Sequence, residues 1–140
     1  RDRTRPGPRL IGAARLHDDR GSAVVDFTLT STLLLFVFLA VFQLGLALHV
    51  RNTLISCAAE GARYGTREGS SAEQGETRAR DLITRSLSAR YASSVSSRVD
   101  TTSSGVQVVV VDVEAPVPVV GLIGPSSGFD VSGRAFLETQ

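Results

Sequence analysis

The pattern of apolar and polar positions changes period along the chain. Between Asp26 and Arg51 lie 24 residues without a formal charge when His49 is neutral, including the run LLLFVFLAVF. At about 1.5 Å rise per residue they make a helix of roughly 36 Å, which crosses a hydrocarbon core of about 30 Å with some tilt. Past Arg51 the apolar positions thin out but keep a helical spacing. In RNTLISCAAEGARYGT, Leu54, Ala58, Gly61, Ala62 and Gly65 recur at intervals of three and four, as do Cys57, Gly61 and Gly65, so the helix continues beyond the span. The polar, Gly- and Ser-rich EGSSAEQGE (68–76) reads as a loop. Ala79, Leu82, Ile83 and Leu87 then repeat with a helical period and predict a second, amphipathic helix over about 73–91.

From there the period falls to two. VQVVVVDVE (106–114) is rich in β-branched residues, with Val109, Val111 and Val113 on one face, and predicts a central strand. Phe129, Val131, Ala135 and Leu137 alternate with more polar neighbours as in a half-buried strand. Residues 95–101 pair with the central strand through the turn TSSG (102–105). The connection APVPVVGLIGPSSG (115–128) holds three prolines and three glycines and reads as a loop. It is apolar for a loop, through Val117, Val119, Val120, Leu122 and Ile123, which places it against the sheet, the membrane surface or a partner. The expected fold is α+β: one N-terminal transmembrane helix extending outward, a second amphipathic helix and a small antiparallel sheet.

Composition sharpens the division into parts. The 140 residues carry a formal net charge of +1, so nothing in the overall balance calls for an acidic partner. RDRTRPGPRLIGAARLHDDR mixes Arg, Pro and Gly without helical period and reads as a disordered tail. The expected parts are a basic leader (1–21), a transmembrane helix (22–50) and a helix with a small αβ domain (51–140). Arg1, Arg3, Arg5, Arg9, Arg15 and Arg20 precede the span, whereas only Arg51, Arg63 and Arg67 follow within twenty residues. This asymmetry predicts a cytoplasmic leader and an extracytoplasmic domain. Arginines outside the leader are scattered among acids with no aromatic platform, so nucleic acid is not an expected partner. His17, His49 and Cys57 make no ligand set, and no cofactor or small-molecule substrate is expected.

Three stretches carry candidate chemistry. GPSSG (124–128) fits the G-x-S-x-G elbow of hydrolases, but no histidine follows Ser126 to serve as its base, and an enzyme is not expected. LISC (54–57) resembles a lipobox, with Cys57 as the only cysteine, although Arg51 and Asn52 interrupt the apolar run where a lipobox stays apolar. An anchored binding module, lipidated or not, is thus the alternative reading. The small-residue face Cys57, Ala58, Gly61, Ala62 and Gly65 suits close approach of another helix. It equally suits packing on the protein's own sheet.

The third stretch is RGSAVVDF (20–27). A basic leader, Gly21, Ser22, an acid at Asp26 and then a long apolar helix resemble a prepilin signal, cut after the glycine. Cutting there would put the new α-amine of Ser22 four residues from the Asp26 carboxylate, on one helix face, and pairing would offset the cost of an acid at the edge of the bilayer. Together with VRNTLISCAAEGARYG, the stretch resembles the N-terminal signature of the TadE-like pseudopilins of tight-adherence (Flp-type) pilus systems. The resemblance makes Gly21 and Ser22 the scissile pair, Asp26 the acidic position and Phe27 the aromatic one. It implies a pilin-like fold and a minor pilin or pseudopilin in the cytoplasmic membrane that assists assembly of a pilus or related secretion apparatus. The implied partners are a prepilin-type peptidase and other pilin-like subunits, met through the small-residue face.

Overall fold

The computed structural model describes residues 19–118 and 128–137. Helix α1 runs from Asp19 to Gly65. It is followed by helix α2 (Ala72–Ser86), a 3-10 turn (Ala89–Ala92) and strands β1 (Ser94–Thr101), β2 (Gln107–Ala115) and β3 (Phe129–Phe136). The chain forms two compact units, residues 1–39 and 40–140. The second begins eleven residues before Arg51, because α1 supplies part of its core.

The described part of the first unit is helix. Every residue from Gly21 to Phe42 is exposed, including Leu33, Leu34, Leu35, Phe36 and Phe38. An all-round apolar surface of this kind has no place in water. Thr28 and Thr32 return their hydroxyls to the carbonyls of Val24 and Thr28, at 2.8 and 2.7 Å, so neither presents an unpaired donor to lipid.

In the second unit the strands form an antiparallel sheet in the order β1-β2-β3. Val109 faces Val99 and Ala135, and Val113 faces Val95 and Val131. The β1–β2 turn closes where expected: Gly105 takes a positive φ of 83° and its N–H donates to the Thr102 carbonyl at 2.8 Å. One face of the sheet packs into the core with Leu54, Ala58, Ala62, Ala79 and Ile83. Each fully buried Leu, Ile or Val contributes about 1.5–3 kcal/mol. On the opposite face Val110 is also fully buried, lying between Arg98 on β1 and Arg134 on β3. Arginine stems cover apolar surface while their heads stay wet, and Arg98 further pairs with Asp112.

Helix α2 begins at Ala72, within one residue of the expected start, where Ser71 and Gln74 form a reciprocal capping box. It ends at Ser86 rather than near residue 91. Leu87 leaves helical geometry (φ −125°, ψ −90°) while its N–H still bonds the Ile83 carbonyl, and the chain turns into the 3-10 segment before β1.

Candidate membrane anchor and processing site

Gly21, Ser22, Asp26 and Phe27 lie on the first turns of α1, all exposed. A side chain at Gly21 would meet nothing within 4 Å, so no packing dictates glycine there. Ser22 and Asp26 are one helical step apart on the same face.

The small-residue face has a different role from that of a contact with a second subunit. Cys57, Ala58, Gly61, Ala62 and Gly65 are all buried within the chain itself. A Cβ at Gly61 would lie 2.6 Å from Cβ of Ala79 and 2.7 Å from the carbonyl oxygen of Gly75. One at Gly75 would lie 2.6 Å from the Gly61 carbonyl oxygen and 3.1 Å from Cα of Gly65. Helices α1 and α2 therefore cross backbone on backbone. The sheet comes as close: a Cβ at Gly133 of β3 would sit 2.2 Å from the Ala58 carbonyl carbon. The expected intermolecular face is thus filled by the protein's own α2 and β3. Gly75 and Gly133 are the residues that sequence reasoning missed. The signals were Gly75-x-x-x-Ala79, which mirrors Gly61-x-x-x-Gly65, and Gly133 in the inward register of β3.

Cys57 is buried in this packing. Burial pushes its thiol pKa up, and a hydrogen bond with the Ser86 side chain opposes that shift. A lipid-bearing cysteine would be the first residue of the mature chain. Cutting before Cys57 would remove Leu54, which is fully buried in the core. The lipobox reading therefore conflicts with the fold. Ser126 of GPSSG lies outside the described residues, as do Val119, Val120, Leu122 and Ile123 of the apolar loop and the leader up to residue 18. Among the described residues no group of His, Cys, Asp and Glu side chains is arranged to hold a metal ion. His49 and Cys57, far apart in any ligand motif, nonetheless line one open hollow together with Glu60 and Ser86.

Fold and site thus define a class: a small α+β protein with, among the described residues, a single helix long and apolar enough to cross a membrane, near the N-terminus. Residues 21–63 match the family model described as TadE-like protein, the same stretch that carries the resemblance in the sequence. The match begins at the Gly21–Ser22 pair and ends before α2 and the sheet. No curated protein and no solved structure matches the chain significantly.

Proposed function

We propose that this protein is a minor pilin or pseudopilin subunit that assists assembly of a tight-adherence pilus. In this reading α1 anchors it in the cytoplasmic membrane, the αβ domain faces outward, and a prepilin-type peptidase cuts between Gly21 and Ser22. The observation that carries it is the TadE-like match opening at Gly21, directly before an all-exposed apolar helix with Asp26 one step inside. The exposed Gly21 leaves room for a peptidase at the bond. The carboxylate of Asp26 then pairs with the new amine of Ser22, on the same chain or on a neighbouring subunit, and holds axial register between helices. The role is structural rather than enzymatic.

Intact-mass measurement of the protein extracted from native membranes tests this reading. The expected product begins at Ser22, and Gly21→Val should leave the leader attached. An uncut wild-type chain in cells with an active prepilin peptidase would reduce the protein to a plain signal anchor.

A further inference from the structure

We propose that the domain touches the membrane through a second element, the start of the β2–β3 connection at Pro116–Pro118, which sits in the boundary between headgroups and acyl chains. Two rulers on the same helix lead there. The first is apolar exposure. On the side of α1 away from the domain, Leu44 and Leu48 remain 61% and 50% exposed, and the first polar side chains beyond them are His49 and Arg51. From Phe27 to Leu48 is 22 residues, about 33 Å of helix, which matches a hydrocarbon core of about 30 Å. Leu48 therefore marks the outer limit of the apolar layer.

The second ruler is where the domain first meets the helix. Gln43, five residues before Leu48, donates from its side-chain Nε2 to the carbonyl of Pro118. Five residues are roughly 7.5 Å along the axis, so Pro118 sits about that far below the outer limit, within the 5–10 Å to which interfacial elements enter a bilayer.

The chemistry of the segment suits that depth. A lone amide in a membrane span is costly unless it is paired, and Gln43 finds an acceptor in the domain. Pro116 and Pro118 have no N–H, so they bring no backbone donor into a layer poor in water. Pro116 is exposed and Val117 half-buried, leaving an apolar surface open to lipid. The occupant is the bilayer itself, because the segment meets α1 at Gln43, inside the apolar stretch that ends at Leu48.

The chain contains no tryptophan, so a single introduced indole reports its own surroundings. Val117→Trp and Pro116→Trp are made in the full chain and reconstituted in phosphatidylethanolamine/phosphatidylglycerol vesicles, with Ser104→Trp on the distant β1–β2 turn as reference. Pro116 is exposed, so its replacement reports even where Val117→Trp disturbs packing. Both indoles should emit at shorter wavelength than the reference and lose about half their emission when the lipids carry acyl-chain bromines, as expected for interfacial depth. The reference should be quenched by aqueous iodide instead. If Pro116→Trp and Val117→Trp behave like Ser104→Trp, the domain stands clear of the bilayer and the proposal fails, whether or not the protein acts in a pilus.

Discussion

Glycines give the most direct tests at the scale of single residues, because the same Gly→Ala change meets quite different surroundings. At Gly45 nothing lies within 4 Å, and alanine should be neutral or stabilise the helix by up to about 1 kcal/mol. At Gly61 the new methyl meets Ala79 and the Gly75 carbonyl, and at Gly133 it meets the backbone of Ala58 and Ala59. Overpacking there should cost about 1–3 kcal/mol, with Gly133→Ala at the upper end. Chemical denaturation of the detergent-solubilised chain, followed by circular dichroism, gives the order; equal effects at Gly45 and Gly133 would contradict the packing. Cys57 provides a second residue-scale test. Its thiol pKa is raised by burial, so the folded chain holds that proton more tightly than the unfolded one. Its contribution to stability is then intact below the ordinary thiol pKa of about 8.5 and is lost as pH rises through the folded value. Alkylation of Cys57 at pH 8 should be slow until denaturant opens the domain, whereas Cys57→Ser should flatten the alkaline loss of stability.

At the scale of elements, legibility followed the strength of the local signal. All three strands fall within about two residues of their predicted limits because β-branched alternation and a Ser-Ser-Gly turn act locally. The start of α2, expected at about residue 73, falls at Ala72. Its polar, Gly- and Ser-rich composition suggested loop, yet Ser71-Ala72-Glu73-Gln74 carries the capping-box spacing, and Ser71 both accepts from the Gln74 N–H and has its own N–H bonded by the Gln74 side chain. Ser71→Ala should cost about 1 kcal/mol and fray the first turn of α2, where Gly75 meets α1. Hydrogen exchange at residues 74–76 is the sensitive measurement; unchanged protection would show that the crossing alone holds the turn. The closeness of that crossing could not be read from the sequence, since a glycine leaves no apolar mark and its neighbour lies far away along the chain.

For the whole molecule, the long apolar run announced a helix long and apolar enough to cross a membrane, since hydropathy depends on residues adjacent in sequence. The folded unit instead reaches back to Ala40, a boundary set by tertiary burial of Val50 and Leu54 and therefore invisible to hydropathy. The arginine asymmetry predicts an outward-facing domain, an expectation open to measurement through an engineered thiol. Ser104 is exposed on the β1–β2 turn, and Cys57, the only native cysteine, is buried. Ser104→Cys should react with an impermeant maleimide on intact spheroplasts at the rate seen after permeabilisation. Labelling that requires permeabilisation would place the domain inside and overturn the pilus reading as well.

The crossing of α1 and α2 also constrains how this sequence can drift over generations. Two helices that touch through side chains can trade volume, one residue growing as its neighbour shrinks. Here most of the contact is peptide against peptide, and little is left to shrink. A methyl gained at Gly61 finds one removable obstacle, the Ala79 methyl at 2.6 Å, besides the immovable Gly75 carbonyl, so Ala79→Gly should rescue Gly61→Ala only in part. The atoms nearest to a methyl gained at Gly75 are backbone atoms of Gly61 and Gly65, which no shrinking of a side chain removes. Lineages carrying this domain should therefore show paired exchange between positions 61 and 79, and at position 75 no exchange at all.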